Sequence, residues 1–159
     1  MPRVVVTLTT IPPRFANLAQ TLASLLGQSM RADAIELWVP HKYTRFPGPF
    51  EVPALPTGVT LRRCERDFGP ATKILPACKA YLGQDVRLTY CDDDFEYPPD
   101  WLNGLIQSAS AHPGCAIAGA GFQIGRAIGG TWKTPHTPRV GGFKKGFGYR
   151  ARRIASLGR

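Results

Sequence analysis

Apolar positions along the chain fall into two periods, and their alternation sets out the fold. Arg3 to Thr9 is a β-branched run, short enough for a strand buried on both faces. Ile11-Pro12-Pro13-Arg14 interrupts it. Phe15, Leu18, Leu22, Leu25 and Leu26 then lie on one helical stripe, which predicts a helix ended by Gly27. Ile35 to Val39 alternates in the manner of a strand stopped by Pro40, so the opening reads β-α-β.

From His41 to Gly58 four prolines and two glycines predict a loop. A third strand is expected over Val59 to Cys64, followed by a helix that Pro70 opens, because the N–H it lacks has no intrahelical partner there. Ile74, Leu75, Cys78, Tyr81 and Leu82 form that helix's expected apolar face, with Pro76 in its early turns. Val86 to Cys91 is the fourth strand, read as a central one. Pro98-Pro99-Asp100 then starts a helix to about Ser110, with Trp101, Leu102, Leu105 and Ile106 inward. Cys115 to Gly121 reads as a fifth strand, and beyond Gly125 only Phe147 to Leu157 suggests order. Alternating strands and helices imply an α/β fold, a Rossmann-like, mostly parallel sheet flanked by helices, with ligands at the carboxyl ends of the strands.

Length and composition add bounds. The 159 residues suit one core, and 43% hydrophobic with 19% charged residues suits a soluble globular chain with no run approaching the ~18 residues of a membrane span. Met1-Pro2-Arg3 runs straight into the first strand without a secretory signal pattern, so the expected location is cytoplasmic. The net charge of +9 is uneven: up to Asp100, 11 Lys and Arg meet 11 Asp and Glu, whereas residues 101–159 carry 9 basic and no acidic side chains. This predicts a body over residues 1–125 and a basic Gly/Pro-rich segment over 126–159, suited to an anionic partner such as the inner face of a membrane. Cys64, Cys78, Cys91 and Cys115 lack metal-ligand spacing and read as buried free thiols.

The densest chemistry is the run Asp92-Asp93-Asp94 at the end of strand four. Adjacent carboxylates repel, and a hard dication such as Mn²⁺ or Mg²⁺ relieves that repulsion with oxygen ligands. Residues one apart on an extended chain share a side, so Asp92 and Asp94 are the expected metal pair, with Asp93 directed elsewhere. Lys73, one turn into the helix opened by Pro70, and Arg14, after the Pro-Pro turn, are candidate phosphate ligands.

Thr7-Leu8-Thr9-Thr10-Ile11-Pro12-Pro13-Arg14, Asp67-Phe68-Gly69-Pro70-Ala71-Thr72-Lys73, and Asp92-Asp93-Asp94 before Tyr97-Pro98-Pro99-Asp100-Trp101 together resemble bacterial GT-A type glycosyltransferases of the family-2-like group, over about residues 3 to 124. The resemblance implies a nucleotide-diphosphate sugar donor, linked to UDP or GDP, at the carboxyl edge of the sheet. It assigns the metal and the donor's ribose or phosphates to the run Asp92 to Asp94, with Asp92 and Asp94 on the metal and Asp92 and Asp93 on the donor. It places Thr9 in the nucleotide pocket and Asp67 facing the base or ribose, beside the phosphate candidates Arg14 and Lys73, and implies transfer of the sugar to a hydroxyl acceptor in polysaccharide or glycoconjugate synthesis. Inverting members supply an Asp or Glu base from beyond the fifth strand, where this chain has none. Either His136 or His112 takes that role, with His136 the better placed, or the acidic cluster does, or the chain is a nucleotide-sugar-binding module without a working acceptor half. The C-terminus is accordingly expected to be shortened or altered relative to that group.

Other classes fit less well. The basic end, with Arg139, Lys144, Lys145, Arg150, Arg152 and Arg153, suits an anionic membrane or nucleic acid, but it carries no recognised nucleic-acid motif. A nucleotidyltransferase wants a glycine-rich basic loop after strand one, and a haloacid-type phosphatase wants its Asp-x-Asp after the first strand rather than the fourth.

Overall fold

A computed structural model of the chain describes residues 2–118 and the backbone of residues 126–128 and 131–133. It divides into two units, Met1–Gln107 and Ser108–Arg159. In the first, β1 (Arg3–Leu8), β2 (Ala34–Pro40), β3 (Val59–Cys64) and β4 (Val86–Tyr90) form one parallel sheet in the order β3-β2-β1-β4. Val6 lies opposite Ile35 on one side and Thr89 on the other, which fixes the register of the three strands. In the second unit, β5 (Arg126–Ile128) and β6 (Thr131–Lys133) pair antiparallel.

The β-α-β expectation holds, and the structure explains the departures from it. Residues 12–17 form a 3-10 segment before α1 (Leu18–Leu26), because Pro12 and Pro13 give the first turn no amide donors. β2 is buried at every position from Ile35 to Pro40 rather than on alternate ones, since β1 and β3 flank it and both faces are covered. Among the described residues β4 lies at the edge of the sheet, not in its middle. Residues 115–118 are not strand, and the rest of the expected fifth strand lies outside the described residues.

The helix after Pro70 is also shorter than its pattern suggested. Pro76 cannot donate to the preceding turn, so the segment splits into a 3-10 piece, Gly69–Lys73, and α2, Leu75–Ala80, with Pro76 in the first turn of α2. The split rotates the expected apolar face outward: Leu75, Cys78 and Leu82 are exposed, and Ala77 packs inward instead. Cys115 is exposed as well, so of the four free thiols only Cys91 is buried.

One face of the sheet carries the apolar core. Val4, Val6 and Leu8 of β1 and Ile35, Leu37 and Val39 of β2 pack with Leu18, Leu22 and Leu25 of α1 and Leu102 of α3 (Trp101–Ala111). The opposite face holds Thr7, Glu36 and Trp38, all buried. Glu36 is only 1% exposed, yet it accepts hydrogen bonds from Trp38 Nε1 at 3.0 Å, Arg62 Nε at 3.0 Å and Tyr81 Oη at 2.8 Å. Three donors, one from β2 itself, one from β3 and one from the residue after α2, satisfy the buried carboxylate.

Candidate active site

Parallel strands place all their carboxyl ends on one edge, and the loops leaving β1, β2, β3 and β4 meet there around a cleft. The cleft is lined by Thr9, Thr10 and Arg14 after β1; Tyr43, Arg45 and Phe46 after β2; Asp67, Gly69, Pro70 and Lys73 after β3; and Asp92 and Asp93 after β4. Every described residue assigned above to the donor therefore faces one space. Asp94 is the neighbour of this lining. His136 and the basic tail residues lie outside the described residues.

The aspartate run alternates as an extended chain requires. The Asp92 and Asp94 side chains are 56% and 44% exposed, whereas that of Asp93 is 5% exposed. Each carboxylate already has a cation. Arg14 Nη1 lies 2.7 Å from Asp93 Oδ1, Arg14 Nη2 lies 3.2 Å from Asp94 Oδ2, and Lys73 Nζ bonds Asp92. The Asp93 hydrogen bond holds the guanidinium above its ordinary range, and the charges of Asp93, Asp94 and Asp92 act in the same direction. Lys73 is thus the last residue of a five-residue 3-10 turn, placed by its ion pair rather than by a long helix's dipole.

Side chains of α1 anchor the acidic loop. Thr21 Oγ1 donates to the Asp93 carbonyl at 2.9 Å, and Ser24 Oγ accepts the Tyr97 N–H at 3.0 Å. Gln28, 5% exposed, donates to the Pro98 carbonyl and accepts the Leu102 N–H, so it caps the start of α3. Thr21 and Ser24 of α1 and Gln28 just past its end recur at helical spacing toward the loop, a pattern readable in the sequence beneath the apolar stripe. Tyr97 closes the loop: its Oη accepts the Asp92 N–H at 2.9 Å, and burial pushes its pKa up.

Tyr43, Arg45 and Phe46 were not among the sequence-derived site residues, because a proline-rich stretch offers no periodicity. Their signal is the run Tyr43-Thr44-Arg45-Phe46, aromatic and basic residues shortly after the end of β2. Tyr43 packs on Phe50 with ring centroids 4.7 Å apart, and its Oη donates to the Thr10 carbonyl at 2.8 Å. Burial raises its pKa too. Among the described residues Thr10 Oγ1 and Asp93 Oδ2 are buried without a hydrogen-bond partner, and Thr10 and Asp93 both belong to the cleft lining. An orphaned acceptor on a carboxylate calls for a ligand that brings a hydroxyl or an N–H.

The outward pair Asp92 and Asp94 has the right donor chemistry for a hard dication, though among the described residues no group of three or more His, Cys, Asp or Glu could hold a metal alone. The residues fit an ion that shares its ligands with a substrate phosphate.

A cleft lined by cations and carboxylates at the carboxyl edge of a parallel sheet has several possible owners, and comparison with known families separates them. The model of Glycosyl transferase family 2 matches residues 13–156. The chain belongs to that family. A comparison with curated proteins finds no match. Membership accounts for the four-stranded parallel sheet as a GT-A type fold and implies a nucleotide-sugar donor in general terms. Family 2 enzymes commonly use divalent metals, in keeping with the outward Asp92 and Asp94. Of the remaining histidines, His112 directs Nδ1 at the Ser108 carbonyl, 3.0 Å away, and so finishes α3 as a cap.

Proposed function

We propose that the chain is a metal-dependent glycosyltransferase that moves a sugar from a nucleotide diphosphate, linked to uridine or guanosine, to a hydroxyl acceptor. The observation that carries this reading is the meeting of Arg14, Lys73 and the aspartate run in one cleft that also has an aromatic wall. Cations beside carboxylates suit a dication and a diphosphate together, and Tyr43 and Phe46 suit the flat nucleoside.

Asp92 and Asp94 would hold the Mn²⁺ or Mg²⁺, which when bound stabilises negative charge on the departing nucleoside diphosphate. Lys73, turning from Asp92, and Arg14, turning Nη2 from Asp94 while Nη1 stays on Asp93, would add to that stabilisation without moving a proton. Asp93 Oδ2 and Thr10 Oγ1 gain the partners they lack from hydroxyls of the donor. His136 is the proposed base for the acceptor hydroxyl, and the nine basic residues after Asp100 are proposed to attach the protein to an anionic membrane on the cytoplasmic side. Among the described residues no helix is long and apolar enough to cross a membrane.

Titration with UDP and GDP in the presence of Mn²⁺ should raise the melting temperature, and Asp94→Ala should abolish the increase. No stabilisation by either nucleotide would remove the reading. The second reading, a donor-binding module without turnover, is favoured by the missing carboxylates after Asp100. Donor binding with neither sugar transfer nor donor hydrolysis would select it.

A further inference from the structure

Asp67 lines the cleft, but both of its oxygens are already engaged by the chain itself. Oδ2 accepts the Thr44 N–H at 2.8 Å and Oδ1 accepts the Gly69 N–H at 2.8 Å. Thr44 sits between Tyr43 and Arg45 of the aromatic wall, whereas Gly69 begins the 3-10 segment that ends at Lys73. A single carboxylate therefore joins the wall after β2 to the turn after β3. Two further bonds extend the join. Tyr43 Oη ties the aromatic wall to the Thr10 carbonyl after β1, and the buried Thr72 Oγ1 accepts the Phe68 N–H at 3.0 Å, which shapes the turn that Asp67 grips.

Gly69 makes this arrangement possible. Its φ of +58° lies in the left-handed region, where a side chain would be strained, and there its amide turns back toward Asp67. Charge-assisted bonds to two backbone amides are stronger than neutral ones and hold the carboxylate in one orientation. Each oxygen keeps a second lone pair, but the orientation of the carboxylate is set by the two amides rather than by a ligand.

We propose that Asp67 is a positioning residue: it sets the distance between the Tyr43–Phe46 wall and Lys73, and so the fit of any nucleotide diphosphate, without choosing the base. This deepens the donor-site reading and rests on it.

The test is calorimetric titration of UDP, GDP, CDP and ADP with Mn²⁺ into wild type and Asp67→Asn, well below the melting temperature of each. Asparagine offers one acceptor oxygen for two amides, so all four nucleotides should weaken alike, by about tenfold, with their ranking unchanged. Thr44→Pro deletes one donor and leaves the carboxylate intact, and it should produce the same uniform loss. A changed ranking in Asp67→Asn would mean that Asp67 reads the base, and wild-type affinity in Thr44→Pro would mean that the join does not shape the cleft; either overturns the proposal. Amide hydrogen exchange in ligand-free protein gives an independent readout: Thr44 and Gly69 should exchange faster in Asp67→Asn, and unchanged rates would overturn the join. If wild type binds none of the four nucleotides, the donor-site reading fails, and exchange alone then decides whether Asp67 joins the two loops.

Discussion

Arg14 Nη1 lies 2.7 Å from Asp93 Oδ1, an ion pair whose guanidinium is 45% exposed and whose carboxylate is 5% exposed. The partners are thus unequal: water can replace Asp93 for Arg14, whereas Asp93 is buried and its other oxygen has no partner among the described residues. Arg14→Ala should cost about 1–3 kcal/mol, below the value for a wholly buried pair because one side is screened. A chain of this size should then melt several degrees lower. Adding Asp93→Ala to Arg14→Ala should restore part of the loss, and an unchanged melting temperature in the single variant would refute the assignment.

Among the residues lining the cleft, Arg14, Arg45 and Lys73 oppose Asp67, Asp92 and Asp93. An anionic nucleotide alone meets an already neutral surface, and a dication alone must displace Lys73 or Arg14 from the aspartates. Each should bind weakly by itself and strengthen the other, with a coupling of about 1–3 kcal/mol. Calorimetric titration of UDP with and without Mn²⁺ measures it, and equal affinities would contradict the expectation.

Tyr43 adds a dependence on alkaline pH. Burial raises its pKa above the ordinary 10.0, so the folded protein keeps the phenol proton after the unfolded chain has released it. Its contribution to stability is therefore complete below pH 10 and declines as pH rises above it. Tyr43→Phe should flatten the decline in urea-denaturation stability above that pH, at a cost of about 1 kcal/mol near neutrality for the lost bond to Thr10. The same alkaline slope in both proteins would exclude Tyr43 as a source.

Glu36 lies on the far side of the sheet from the apolar core and serves structure rather than donor binding. Glu36→Ala would leave Trp38 Nε1 and Tyr81 Oη without their acceptor, whereas Arg62, 49% exposed, can turn to water. The expected loss is about 1–3 kcal/mol in a urea titration, with Glu36→Gln losing less. Nucleotide affinity of the folded variant should not change, and a marked drop would show that the network reaches the cleft.

Strand positions were legible because β-branched and apolar runs between prolines and glycines leave few alternatives; Val59–Cys64 was located to the residue. The acidic run, Arg14, Lys73 and Asp67 were legible as a set, since each follows a strand and a parallel sheet gathers strand ends. Pairings within that set were not. Nothing local tells Arg14 to choose Asp93, 79 positions away, and the choice follows from the β1–β4 register. The α2 face differs for another reason: the chain changes from 3-10 to α-helical turns at Ile74, so residues 70–82 do not keep one 3.6-residue period.

The pairing of Arg3 with Val86 closes a loop of roughly eighty residues, and such distant contacts form only after most of the chain's loop entropy has been lost. No fragment ending before β4 can therefore contain the site, because Arg14 and Lys73 would have no carboxylates to meet. Donor binding is in this sense a property of the finished sheet: a ligand bridging the loops of β1, β3 and β4 adds its binding energy to global unfolding, so protection by nucleotide should extend to the amides of β1 as well as to those lining the cleft.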